Sequence, residues 1–275
     1  MEVAEKMMVS GSTSSPTAVD GQNRLWFESL SSSREKALRV FCFPYAGGNA
    51  SIFRDWQRHF PPDIDLCLVH LPGRGKRSGG QPFTRLEPLV QTIADLIMRE
   101  PQFPYVLFGH SVGALISFEL ARELRRRRFT LPRRLFLSGR RAPTTSSEKD
   151  PVFNLADDAF IAEVKRLNGT PKEVLEHPET RRLFLPVLRA DFEIDDTYEY
   201  YSEERLSCPI TVYGGLQDRD ISLESLRAWE EQTSADCKLR MFPGDHFFLL
   251  SPEAGFVDVF RRDAVSILRY PAHAV

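Results

Sequence analysis

The sequence predicts an α/β protein with a mainly parallel central sheet, helices on both faces and a helical lid inserted near the middle. Three observations carry that expectation. Short apolar runs of strand-forming residues alternate with helix-periodic segments along most of the 275-residue chain, the pattern of strands joined by crossover helices. One junction, Tyr105-Val106-Leu107-Phe108 into Gly109-His110-Ser111-Val112-Gly113-Ala114, reads as a strand, a sharp turn and a helix with a serine at the bend. From about Thr144 to Arg205 the alternation stops, and polar helical segments follow one another without a strand signal. An all-helical stretch between two strands of a sheet is what a lid looks like.

Composition narrows the class. A hydrophobic share of 42% and a charged share of 27% belong to an ordinary globular chain. The formal net charge of -2 leaves no global basic field for nucleic acid. No apolar run approaches a membrane span, and the acids in Met1-Glu2-Val3-Ala4-Glu5-Lys6 argue against a secretory signal. The four cysteines, Cys42, Cys67, Cys208 and Cys237, show no C-x-x-C spacing, and Cys42 and Cys67 sit in apolar runs. A reduced, cytoplasmic chain fits that better than a disulfide scaffold.

Taken in order, residues 1–23 are rich in small and polar types without periodicity and are expected to form a disordered arm before a single domain over 24–275. Leu38 to Phe43 is a strand that runs into Pro44-Tyr45-Ala46-Gly47-Gly48, where proline stops the ladder and the glycines free the backbone. A helix over roughly Phe53 to His59 and a strand over Asp65 to His70 follow. The next loop, Leu71-Pro72-Gly73-Arg74-Gly75-Lys76-Arg77, is basic but lacks the G-x-x-x-x-G-K-[ST] spacing of a nucleotide loop. It is expected to be solvated, with its arginines available to an anionic handle on a substrate. Leu86 to Met98 is an amphipathic helix. After the serine helix, Arg122, Arg125 to Arg128, Arg133, Arg134, Arg140 and Arg141 form a local basic cluster. Its plain reading is a solvated helix end; the sharper one is a docking patch for an acidic partner or a phosphate.

Leu135 to Gly139 is the next strand. The lid is expected over about 144–205, with helices at Asp157 to Leu167, Pro171 to Glu176 and Thr180 to Glu193, and with Asp191, Asp195 and Asp196 as surface and hinge residues. Ile210 to Gly214 is a late strand ending in Gly215-Leu216-Gln217-Asp218-Arg219-Asp220. A helix over Ser222 to Gln232, a strand over Cys237 to Phe242, the turn Pro243-Gly244-Asp245-His246 and a helix from Ser251 to about Leu268 complete the chain.

The chemistry follows from what lies past the strand ends, where such sheets build their sites. G-x-S-x-G alone turns up by chance in roughly one chain in ten of this length. Ser111, however, is followed by acids after a late strand, Asp218 and Asp220, and then by His246 after the last strand. That is the Ser, acid, His order of a nucleophile-elbow hydrolase. The other five histidines lie in helical, lid or tail contexts, at a strand end (His70) or inside the elbow (His110).

With these residues in hand the chain resembles the type II thioesterases, the discrete α/β-hydrolase-fold enzymes that serve polyketide, nonribosomal-peptide and some fatty-acid synthases. The likeness spans Val40 to Leu268. It is carried by Phe43-Pro44-Tyr45-Ala46-Gly47-Gly48, Leu71-Pro72-Gly73-Arg74, Gly109-His110-Ser111-Val112-Gly113, Leu188-Arg189-Ala190-Asp191, Gly215 to Asp218 and Pro243 to Phe247. The G-x-x-D spacing of the family falls on Gly215 and Asp218 and selects Asp218 over Asp220. Val112 departs from the methionine often found there, a change that keeps the backbone N–H. Pro72-Gly73-Arg74 is a family mark with no catalytic meaning of its own.

The resemblance implies a serine hydrolase that cleaves acyl thioesters from the phosphopantetheine arm of acyl or peptidyl carrier proteins, clearing aberrant or stalled groups. Ser111 would be the nucleophile, His246 the base and Asp218 its orienting acid, with an oxyanion hole from Val112 and Ala46, or Tyr45 in its place. It implies no metal or dissociable cofactor, and a monomer. Carrier proteins are acidic, which would give the arginine cluster and the Arg74–Lys76–Arg77 loop a docking task. The rival expectations are a chain-terminating medium-chain acyl thioesterase, a small-molecule carboxylesterase and a hydrolase-fold binding module.

Overall fold

The computed structural model describes residues 23–269, apart from 102, 146–149 and 170–171. The expected arm, except Asn23, therefore lies outside the described residues, as do Thr170-Pro171 in the lid and the tail with His273. Asn23 is buried, and its Nδ2 donates to Glu100 Oε1 at 2.8 Å, so packing begins inside the stretch expected to be loose.

Seven strands form one sheet: β1 (Phe27–Ser29), β2 (Leu38–Phe43), β3 (Ile64–Val69), β4 (Tyr105–His110), β5 (Leu135–Ser138), β6 (Ile210–Gly215) and β7 (Cys237–Phe242), in the order β1-β3-β2-β4-β5-β6-β7. Only β1 runs antiparallel to its neighbour. Strands β2 to β6 are buried along their whole length, and burial on both faces is why they read as unbroken apolar runs. Strand β1 was not expected. Three residues are too few to show a period, and only pairing of Phe27 with Val69 at the sheet edge defines it.

The helices are α1 (Leu86–Ile97), α2 (Val112–Arg126), α3 (Asp157–Leu167), α4 (Lys172–Glu176), α5 (Pro178–Asp196), α6 (Leu223–Arg227) and α7 (Phe256–Arg269). Helices α1 and α2 cover one face of the sheet; α7 and a 3₁₀ segment, Ala50–His59, cover the other. The 3₁₀ period of three puts Phe53 and Trp56 on one buried face. Helices α3 to α5 sit between β5 and β6 and share a small core of Phe160, Val164, Leu175 and Leu188. Two expected helices are shorter than their pattern. The one from Ser222 turns 3₁₀ at Ala228, and the last one starts at Phe256 because Gly255 adopts φ +60°.

The basic segments are not free. Arg125 and Arg126 both pair with Glu203, and Arg127 pairs with Glu123 and Asp95. Arg140 pairs with Asp195, and Arg134 donates to Thr211 Oγ1 at 3.0 Å. In the loop after β3, Lys76 pairs with Glu28 at 2.8 Å, and the Arg77 guanidinium lies 3.7 Å from the Trp26 ring centroid. Arg74 is buried. Arg74 and the paired arginines thus bridge elements of the fold, while Lys76, Arg126, Arg128 and Arg133 remain exposed.

The site is positioned by topology. The chain passes from β2 outward to β3 and then returns to the other side of β2 as β4, so a crevice opens at the carboxyl ends of β2 and β4. Phe43 pairs with Gly109 there, which sets the glycine-rich loop beside the serine turn. The approach is backbone on backbone. A Cβ on Gly109 would lie 2.0 Å from Gly113 O, and one on Gly113 would lie 2.3 Å from Phe43 O.

Gly109→Ala is expected to cost about 3 kcal/mol or more, read from the urea midpoint, because a main-chain carbonyl cannot step aside. Gly79→Ala, with nothing within 4 Å of the added carbon, is the control and should stay within about 0.5 kcal/mol. A second expectation concerns Glu28, which joins β1 to Arg54, His70 and Lys76. Burial raises its pKa, but these three partners outweigh that and hold it at about 2, below the ordinary 4.5. A lowered folded-state pKa stabilises above the unfolded value and is lost as pH falls. Acid unfolding between about pH 4.5 and 2 should therefore be shallower in Glu28→Gln than in the wild-type protein.

Candidate active site

Ser111 is the hinge between β4 and α2. It holds φ 55° and ψ -120°, a region that costs a non-glycine residue on the order of 1–3 kcal/mol. The surroundings impose it. Its N–H donates to Ser138 O at 2.8 Å, and its carbonyl accepts from Ala114 N at 2.9 Å. The sharp turn presents the side chain at the mouth of the crevice, with the N-terminal end of α2 behind it. There the first N–H groups have no helical partner and the dipole is positive.

His246 comes from the loop after β7, and that loop is laced to the one after β6. Leu216 N donates to Phe242 O at 2.8 Å and Gln217 N to Gly244 O at 2.9 Å, while Gln217 Oε1 accepts from Gly244 N. A Cβ on Gly215 would lie 2.2 Å from Asp245 O, so a glycine is required where the loops touch. This lacing sets His246 Nδ1 2.7 Å from Asp218 Oδ2. The Asp218 carboxylate is 3% exposed, and its second oxygen accepts from Asp220 N at 2.9 Å. An ionised carboxylate only accepts, so Nδ1 carries the proton and Nε2 is left with its lone pair. The two acids left open by chain order are thereby separated, because Asp220 turns away to Arg166 at 3.2 Å.

Ser111, His246, Ala46, Tyr45 and Val112 line one cavity of about 130 Å³, roofed by Leu188 and Phe192 of α5. Among the described residues Ser111 Oγ has no hydrogen-bond partner; catalytic pairs often tighten only around a substrate. Phe247 packs edge-on against both Tyr45, at 4.9 Å between centroids, and His246, at 5.1 Å. His110 lies behind, its ring 5.0 Å from that of His246 and its Nδ1 2.9 Å from Ser138 Oγ. Burial, with His246 nearby, pushes the His110 imidazole well below its ordinary range. Burial thus holds the His110 ring neutral. Among the described residues no group of three or more His, Cys, Asp or Glu could hold a metal ion, and no helix is long and apolar enough to cross a membrane.

One expectation is overturned. Asp191 was placed with Asp195 and Asp196 at the surface, yet it is 2% exposed and faces Arg74 and the N–H of Gly47. Asp195 pairs with Arg140, and Asp196 accepts from Val152 N at 2.7 Å and Phe153 N at 3.0 Å. All three hold elements together. No local pattern marks Asp191 as buried; its partners are 117 and 144 residues away in the chain.

The family model for the thioesterase domain matches residues 38–262. The gramicidin S biosynthesis protein GrsT of Aneurinibacillus migulanus is 44% identical over 224 residues, 82% of this chain and 88% of that protein. Among solved structures, the RedJ thioesterase of the prodiginine pathway in Streptomyces coelicolor superposes with a TM-score of 0.77 at 36% identity, covering 83% of this chain and 91% of that one. YbtT, a type II thioesterase of the yersiniabactin pathway, gives a TM-score of 0.77 at 32% identity over 88% of this chain and 99% of its own. A serine elbow at the switch point, a laced acid and histidine, and likeness along most of the chain agree: the protein belongs to the thioesterase family, with the type II thioesterases of the α/β-hydrolase fold.

Proposed function

We propose that this protein hydrolyses acyl thioesters held on the phosphopantetheine arm of carrier proteins and frees carriers of a nonribosomal-peptide or polyketide synthase from aberrant or stalled groups. The observation that carries the reading is the 2.7 Å contact between His246 and Asp218 beside a strained Ser111 on the same cavity. The kind of synthase rests on YbtT, which is named for a nonribosomal-peptide and polyketide pathway, beside GrsT and RedJ, named for gramicidin S and prodiginine biosynthesis.

In the first half-reaction Ser111 Oγ bonds to the thioester carbonyl carbon, and its proton passes to His246 Nε2. Asp218 holds the tautomer and steadies the imidazolium. The oxyanion takes hydrogen bonds from the N–H of Val112, at the start of α2, and from that of Ala46; one such donor is worth about 3–4 kcal/mol. The C–S bond breaks, the thiol leaves with the proton from His246, and an acyl-serine remains. In the second half, water gives a proton to His246 as its oxygen bonds to the acyl carbon; the bond from that carbon to Ser111 Oγ then breaks, His246 passes the proton to Oγ, and the free acid leaves. Helices α3 to α5 act as the lid, with Leu188 and Phe192 keeping bulk water off the acyl group. Buried free thiols at Cys42, Cys67 and Cys208, the last pushed by burial up to about 12, suit a reducing cytoplasm.

The test is hydrolysis of acetyl-, hexanoyl- and decanoyl-loaded carrier protein. Short groups should turn over without strong selectivity, and Ser111→Ala should lose at least about a thousandfold in kcat. Turnover of the decanoyl form alone would replace the clearing role by chain termination, and equal behaviour of both proteins would leave a binding module. Asp218→Asn should lower kcat by about a thousand- to ten-thousandfold with the circular dichroism spectrum unchanged, because an amide no longer enforces the Nδ1–H tautomer.

A further inference from the structure

Arg74 and Asp191 touch neither the serine nor the histidine, yet they form a buried bidentate ion pair, 8% and 2% exposed. Arg74 Nη2 donates to Asp191 Oδ1 at 2.7 Å, and Nη1 donates to Oδ2. A buried pair of this kind is weak evidence for stability, since well-packed apolar residues of similar volume often serve as well. What apolar residues cannot do is accept a hydrogen bond. Asp191 Oδ2 also accepts the N–H of Gly47 at 2.7 Å.

Gly47 is the residue after Ala46 in the loop following β2. It sits at φ +70° in a tight turn closed by Gly48 N donating to Tyr45 O at 2.8 Å. A Cβ there would lie 2.6 Å from Leu188 Cδ1 and 2.7 Å from Phe184 Cζ. On the neighbouring loop, a Cβ on Gly73 would lie 3.1 Å from Val187 Cγ2. Phe184, Val187, Leu188 and Asp191 recur at helical spacing and form one face of α5, laid across both loops. Side chains press on the turn, while the carboxylate fixes the peptide plane between Ala46 and Gly47.

We propose that Asp191, seated by Arg74, is a positioning residue for the oxyanion hole: by holding the Gly47 N–H it aims the neighbouring Ala46 N–H at the point that the Val112 N–H also faces. The inference rests on the reading of Ser111 as nucleophile and of Ala46 as the second oxyanion donor. It gives an arginine after β3 and an aspartate late in the lid a task in a reaction that neither touches. It also makes α5 the fixed part of the lid.

The experiment compares wild type, Asp191→Asn, the double variant Arg74→Met/Asp191→Leu and Ser111→Ala on an acyl-N-acetylcysteamine thioester. In Asp191→Asn one of the two acceptor oxygens becomes an NH2 donor, so the side chain can no longer satisfy both Arg74 nitrogens together with the Gly47 N–H. We expect kcat to fall by about 10- to 100-fold with KM within about twofold. Affinity for an alkyl boronic acid, whose tetrahedral adduct on Ser111 mimics the oxyanion, should fall by the same factor, with the apparent pKa of the base unmoved. The double variant, which replaces the pair by apolar side chains, should recover a near wild-type thermal midpoint and stay slow. A double variant that regains full kcat with its stability, or an Asp191→Asn protein that is only less stable, overturns the proposal. Turnover surviving in Ser111→Ala removes the serine-hydrolase reading and this proposal with it. A dead Ser111→Ala beside an undiminished Asp191→Asn removes this proposal alone.

Discussion

The contact on which the site depends is main chain against main chain where β4 turns into α2. Gly109 and Gly113 stand where a single added carbon would meet a carbonyl oxygen, of Gly113 in one case and of Phe43 in the other. Because the helix approaches that closely, the residue at the bend has no relaxed backbone left to adopt, and Ser111 is held at φ 55°. The strain is sustained by the rest of the sheet: β2 and β5 flank β4, and Ser138 O takes the serine N–H. The same approach brings the glycine-rich loop of β2 level with the start of α2, so two sources of free N–H groups border one cavity.

Three aspartates buried in this fold show how partner and place decide a carboxylate's task. Asp65, fully buried on β3, is met by Lys36 at 2.8 Å and Arg39 at 3.0 Å and ties strands together away from the carboxyl ends. Asp218 is met by a histidine at the carboxyl end of β6. Asp191 is met by an arginine and a backbone N–H, and so holds a loop. Burial is common to all three and makes a partner obligatory, since an unpaired carboxylate would be costly there. What differs is whether the partner can move a proton, and only His246 can.

Much of this was legible in the chain itself. Strands β2 to β6 announce themselves because both faces are covered, and β7 is expected with the same bounds it has in the structure. The elbow is legible because the turn tolerates only small residues, a constraint written locally in Gly109-His110-Ser111-Val112-Gly113. Strand β1 was missed because three residues carry no period and need the edge of β3 to exist as a strand. The partners of the arginines were hidden for a related reason. Sequence shows the arginines' charge but not Glu123, Glu203 and Asp95 standing opposite.

Local sequence by itself determined the alternation of elements and the strained serine turn, because each depends on residues within a few positions of one another, and the order of serine, acid and histidine is read directly along the chain. Tertiary structure alone decided that Arg74 is buried and that Asp191 reaches across 144 residues to Gly47. Those outcomes depend on which loops the strand order brings together at the carboxyl ends. A hydrogen bond between distant segments leaves no periodicity in either of them.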